Sequence, residues 1–205
     1  MGGAFSASPL FDYSEELTAA EIRRAGWVCE RWVDRHAISL ENDEIAWPLI
    51  QSIHRMWFES TFPKDAGKQR GVMVVNRKGT AVPVGAIIDG VEAACGDWRW
   101  RQENLSPEDA IEQIEFSVAE ANELVIRVYN IHPFLDGNTR ATFSLRNLLL
   151  VRGGLYALQD VDVEPFLDAW WKAQPGNHER LDELVVEALF EQDRRREEHN
   201  RVIPG

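Results

Sequence analysis

His132, Asp136, Asn138 and Arg140 fall within one nine-residue stretch, His132-Pro133-Phe134-Leu135-Asp136-Gly137-Asn138-Thr139-Arg140. An imidazole with an ordinary pKa of about 6.5 can accept a proton at neutral pH. A single carboxylate such as Asp136 is the kind of ligand that Mg2+ shares with waters and phosphate oxygens. Gly137 and Asn138 tolerate the tight backbone of a turn into a helix, and Asn is a favoured N-cap. The first N–H groups of that helix, with the donor fork of Arg140, would make a nest for a di- or triphosphate. Base, metal ligand and anion hole together specify attack on phosphorus.

Such a loop has to be held between two helices, and the flanking sequence supplies them. Ser106, Pro107 and Asp109 are a helix start signal. Ile111, Ile114, Val118, Ala121, Val125 and Val128 then recur at intervals of three and four, predicting a helix over Ser106 to Asn130 with one buried stripe. Pro133 disfavours helical geometry at His132, so the chain leaves that helix near Ile131. The next helix is expected from about Asn138 to Val151, through Ala141, Leu145, Leu148 and Leu149, with its stop at Gly153-Gly154. Other helices are expected over Ala19 to His36, Ile45 to Phe58, Val84 to Trp98, Val163 to Ala173 and Asn177 to Arg196. Val72 to Val75 and Thr80 to Val84 are short β-branched runs around Asn76-Arg77-Lys78-Gly79, which reads as a hairpin with Pro83 on an edge strand.

The motif His-Pro-Phe-x-Asp-Gly-Asn-x-Arg at this spacing closely resembles the signature of the Fic (filamentation induced by cAMP) domain family. Ile53-His54-Arg55, Phe62-Pro63 and Ala66-Gly67-Lys68-Gln69-Arg70 resemble the family's segment before its flap, so the likeness covers roughly residues 45 to 152. The resemblance implies an all-α, mainly helical Fic fold with a small β-hairpin flap. Its expected organisation is an N-terminal helical extension over 1–44, a Fic core over 45–152 with the flap at about 71–84 and the catalytic loop at 132–140, and C-terminal helices over 153–205 packing on the same domain.

By the same resemblance the chain is expected to be a protein adenylyltransferase, moving AMP from ATP to a Ser, Thr or Tyr hydroxyl of a target protein. His132 would be the base and Asp136 the Mg2+ ligand. Gly137, Asn138 and Thr139 would form the anion hole, Arg140 would hold phosphate oxygens, and Phe134 would pack inward. Val72, Val74, Thr80 and Val82 of the flap would hold the target in extended form.

Two positions depart from the family pattern. Thr139 stands where most adenylylating members have a second Gly, and Phe143 where many have a second Arg. The Doc branch also departs there and transfers the terminal phosphate, so a Doc-like protein kinase and a catalytically silent binding module stand as alternatives. The family's inhibitory Ser/Thr-x-x-x-Glu-Gly/Asn motif is not found in the sequence. A toxin restrained by a separate small antitoxin protein is therefore one expected setting.

A net charge of −12 argues against a surface that wraps nucleic acid, whose binding is dominated by phosphate neutralisation. The sequence shows no apolar run of membrane-spanning length, and Met1 to Pro9 lacks the pattern of a signal peptide. A soluble, cytoplasmic protein is expected, with Cys29 and Cys95 as buried thiols. Lys68, Arg70, Arg77 and Lys78 form a basic group around the flap, read either as edge protection or as target binding. His54 is expected to be surface or structural, and the eight tryptophans to serve packing.

Overall fold

The structure, a computed structural model, describes residues 19–60, 62–79, 82–159 and 162–202, with side chains from 24 to 198 within those spans. Thr80 lies outside the described residues.

The chain adopts the expected mainly helical fold. Its α-helices are α1 (Ala19–His36), α2 (Trp47–Phe58), α3 (Ile87–Asn104), α4 (Ala110–Ile131), α5 (Asn138–Arg152), α6 (Val163–Lys172) and α7 (Glu179–Val202). No helix among the described residues is long and apolar enough to cross a membrane.

α4 is the axis, packed against α3, α5 and α7. It begins three residues later than a cap at Ser106 would place it. Asp109 is the actual N-cap, its carboxylate accepting from the N–H groups of Ile111 and Glu112 at 2.8 and 2.9 Å. A carboxylate that satisfies two orphan donors, and is favoured by the helix dipole, makes a stronger start than the Ser106 hydroxyl. The expected single stripe is also too simple. Ile111 is exposed, whereas every residue from Ala121 to Ile126 is buried, because neighbours enclose the helix middle on all sides.

α5 lies against α4 and also meets α1 and α2. Leu145, Leu148 and Leu150 are completely buried, in one core cluster with Val118, Leu124 and Val125 of α4. α5 ends as the sequence predicts. Gly154 adopts φ +82, the Leu155 N–H reaches the Leu150 carbonyl, and the Gly154 N–H reaches that of Val151, which is a Schellman closure.

The C-terminal pair is tied to the centre by a polar knot. His178, before α7, bridges Asp182 through Nδ1 and Glu123 of α4 through Nε2, at 2.8 and 3.0 Å. Glu123 also accepts from the Gly176 N–H at 2.8 Å and from Arg127 at 2.6 Å. Burial opposes charge on His178, but its two carboxylates outweigh it and hold the imidazole pKa above its ordinary value. Cys29 and Cys95 are buried free thiols, and burial pushes Cys95 up to about 12.

The segment from Gly71 to Pro83 keeps the reversal expected of a hairpin but forms no strand ladder among the described residues. Gly79 closes the turn with φ +76, its N–H bonding to the Asn76 carbonyl at 2.9 Å. Among the described residues the arms are joined by a side chain. Arg70 Nη1 donates to the Val72 carbonyl and Nη2 to the Val82 carbonyl, both at 2.6 Å.

Candidate active site

The loop of residues 132–137 is shaped by the helix ends on either side. His132 caps α4 in the left-handed conformation, φ 54 and ψ 62, with its N–H on the Val128 and Tyr129 carbonyls. A non-glycine residue held there is strained, and the surroundings must fix it. Pro133 then prevents the helix from continuing.

The N-cap of α5 is Gly137, at φ +74, and Asn138 is the first helical residue. Only glycine fits, because a Cβ at 137 would lie 2.1 Å from the Phe58 ring and 3.2 Å from His54 Nε2. Asn138 is buried and braces the loop, donating to the Phe134 carbonyl at 2.9 Å and accepting its N–H at 3.0 Å. The first helical bond runs from the Ala141 N–H to the Gly137 carbonyl. The N–H groups of Asn138, Thr139 and Arg140 therefore precede the helical ladder, at its positive dipole end.

Phe134 is buried, as expected, stacked between Trp47 at 5.5 Å and His54 at 3.8 Å between centroids. His54 is far from a passive core residue. Its Nδ1 accepts the Gly67 N–H at 2.9 Å, which leaves Nε2 as the protonated nitrogen, and Nε2 lies 3.0 Å from the Asp136 carbonyl. The ring thus connects the Ala66–Arg70 segment to the loop. Burial pulls its pKa down to about 4, so it is neutral at physiological pH.

Arg70 makes the second connection. It is 2% exposed, its Nε donates to the His132 carbonyl at 2.6 Å, and its backbone N–H reaches the Pro133 carbonyl at 2.9 Å. The flap tip is anchored as well, through Asn76 on the Asn130 carbonyl and Lys78 on that of Ala173. Two members of the basic group, Arg70 and Lys78, are thus internal ties. Neither reading of that group from sequence foresaw them, and no local pattern marks a residue whose partner lies 62 or 95 positions away.

These restraints place His132, Asp136, Gly137, Asn138, Thr139 and Arg140 around one cavity of about 460 Å3. Val74 to Arg77, Tyr129 and Trp171 complete its wall. The volume suits a nucleotide-sized ligand. Of the flap residues singled out from sequence, Val72 is half exposed, Val82 is half-buried and Val74 is buried against the cavity. Burial, and then the Arg70 charge, pull the His132 pKa down to about 4. The imidazole is neutral above that pH and able to accept a proton.

Asp136 Oδ1 accepts the Gly137 N–H at 2.6 Å, whereas Oδ2 is buried without a hydrogen-bond partner among the described residues. No group of three potential metal ligands occurs among the described residues. A carboxylate oxygen left over at a phosphate-sized cavity fits Mg2+, which takes few protein ligands and completes its shell with waters and phosphates. Phe143 is turned away into a ring cluster, its centroid 4.9 Å from Trp170 and 5.6 Å from Phe166.

A sequence profile described as the Fic/DOC family matches residues 47–150. The chain is 29% identical over 124 residues to the protein adenylyltransferase fic-1 of Caenorhabditis elegans, an alignment covering 60% of this chain and 23% of that protein. It therefore spans about a quarter of that relative's length. Among solved structures it resembles a Fic domain containing signaling protein from Bacteroides thetaiotaomicron, with TM-score 0.60, 16% identity, and coverage of 83% of this chain and 69% of that one. It also resembles the BepC protein of Bartonella tribocorum, solved with bound AMPPNP, with TM-score 0.54, 17% identity, and coverage of 86% and 90%. At these identities the two structures establish the shared fold.

Proposed function

Because this chain belongs to the Fic/DOC family, we propose that it is a protein adenylyltransferase, which joins AMP from ATP to a Ser, Thr or Tyr hydroxyl of a target protein. The observation that carries this reading is the convergence of His132, Asp136 and the α5 N-terminus on one cavity. Likeness to an adenylyltransferase, and to a Fic fold that holds an ATP analogue, supports the choice of nucleotide.

The target hydroxyl oxygen attacks the α-phosphorus of ATP, forming one P–O bond as the bond to pyrophosphate breaks. His132 accepts the hydroxyl proton. At a pKa of about 4 the imidazole is already neutral, and its low basicity makes proton transfer accompany bond formation rather than precede it. The N–H groups of Asn138, Thr139 and Arg140 and the Arg140 guanidinium bind the phosphate oxygens and stabilise the charge that develops on them. Asp136 Oδ2 would hold Mg2+, which supplies neutralisation of phosphate charge when bound. The exposed side chains of Val72 and Met73 would present the target segment, with neighbouring flap residues. A toxin restrained by a small antitoxin protein is part of the same proposal.

Thr139 and Phe143 favour one second reading, transfer of the terminal phosphate. After incubation with ATP, Mg2+ and cell extract, mass spectrometry should find AMP adducts on hydroxyl side chains, absent with His132→Ala. Phosphate adducts would select the second reading, and no adduct of either kind would leave a binding module.

A further inference from the structure

Arg77 sits in the flap tip between two anchored residues. Asn76 donates to the Asn130 carbonyl of α4, and Lys78 donates to the Ala173 carbonyl at the end of α6. The Lys78 N–H also reaches Asn76 Oδ1 at 2.9 Å, which closes the turn around Arg77. Arg77 itself is exposed, borders the loop cavity, and has no ion-pair partner among the described residues. Its guanidinium carbon lies 5.5 Å from the ring centroid of Trp171, another residue of the cavity wall.

Tyr129 connects this part of the flap to the first turn of α5. Burial pushes its phenol pKa up, and the Arg77 charge is the leading influence against that, followed by hydrogen bonds from the Thr139 side chain and the Arg77 backbone. One hydroxyl thus stands between Arg77 and Thr139. The Arg77 charge therefore lies near the turn whose N–H groups are free of the helical ladder. Arg140 is the other cationic side chain on the cavity wall. The next turn of α5 adds none at position 143, where Phe143 packs on Phe166 and Trp170. A triphosphate carries more negative charge than Arg140 and one divalent ion neutralise.

We propose that Arg77 determines nucleotide specificity: its guanidinium, supplied by the flap, binds the phosphates that follow the one seated at α5, in place of a cation at position 143. This rests on the nucleotide of the transferase reading above. A guanidinium fork matches phosphate oxygens, and two tethered neighbours with a ring beside it restrict where it can go before the nucleotide arrives. The same flap would receive the target segment, so a nucleotide with its full phosphate chain would steady the surface on which the target lies.

The test is calorimetric titration of the whole chain with AMP, ADP and ATP in the presence of Mg2+, comparing wild type with Arg77→Gln, Arg77→Lys and Lys68→Gln. Lys68 is exposed, precedes the flap and is not on the cavity wall. Arg77→Gln should weaken ATP and ADP by about tenfold or more, the loss of one charge-assisted contact, and leave AMP within about twofold of wild type. Arg77→Lys should recover part of that loss, and Lys68→Gln should change every affinity by less than about twofold. Wild-type ATP affinity in Arg77→Gln overturns the proposal. So does an AMP affinity that falls as far as that for ATP, or a loss in Lys68→Gln equal to that in Arg77→Gln. A wild-type chain that binds none of the three nucleotides overturns the transferase reading together with this one, whereas tight ATP binding indifferent to Arg77 removes this one alone.

Discussion

The Arg70 side chain holds the backbone of His132, with Nε donating to its carbonyl at 2.6 Å, while the same guanidinium holds Val72 and Val82 on the two arms of the flap. One residue thus links the surface that would receive a target to the residue that would take its proton.

Replacing Arg70 by Lys keeps a charge but loses the fork, so the left-handed His132 loses its support. Turnover should fall about tenfold or more, with a smaller change in nucleotide affinity. Arg70→Met also removes a charge that holds the His132 pKa down. The pKa should rise, and the acidic limb of the rate–pH profile should move to higher pH with it. An unmoved limb would separate Arg70 from the base.

His54→Gln should cost about 1–3 kcal/mol at pH 7, because the Gly67 N–H and Asp136 carbonyl lose a well-placed partner. The cost should shrink on acidification. His54 has a folded pKa of about 4, against about 6.5 when unfolded. As pH falls through that window the unfolded wild type gains a proton that the folded state does not. Wild type therefore loses up to about 3 kcal/mol that the variant does not lose. Urea unfolding at pH 7 and pH 5 measures the difference, and a constant gap would contradict the buried neutral assignment.

Gly137→Ala should destabilise by more than about 2 kcal/mol, since its Cβ would collide with Phe58 at a positive φ. Gly154 has φ +82 but open space around its Cβ position. Gly154→Ala should therefore cost only about 1 kcal/mol. Equal effects in thermal unfolding would mean that steric fit at the loop is not what requires Gly137.

The elements were legible where a pattern is local. The Gly153-Gly154 stop, the Pro133 exit from α4 and the helix spacing each follow from neighbours in sequence, and the site motif is contiguous. What stayed hidden depends on distant partners. His54 gives no sign in sequence that it will meet Asp136, nor Arg70 that it will span the flap and the loop. Among the described residues it is Arg70 that joins the two β-branched arms, at the carbonyls of Val72 and Val82. The start of α4 was misplaced because two cap signals stood three residues apart, and the carboxylate of Asp109 won.

A Phe143→Ala variant tests whether the departure from the family motif is structural. Phe143 packs on Phe166 and Trp170 and carries Arg146 on its face. Truncation should cost about 3 kcal/mol or more by cavity formation. The affinity for AMP, which the proposed function places in the loop cavity, should stay near wild type in titration.

Transfer of AMP from ATP by the loop of His132 can be followed by supplying ATP labelled separately at the α and γ phosphates, with Mg2+ and cell extract, to wild type and His132→Ala. Label arriving on protein from the α position with wild type, and abolished in the variant, is the predicted result. Label from the γ position only, or α label that survives in His132→Ala, would contradict it.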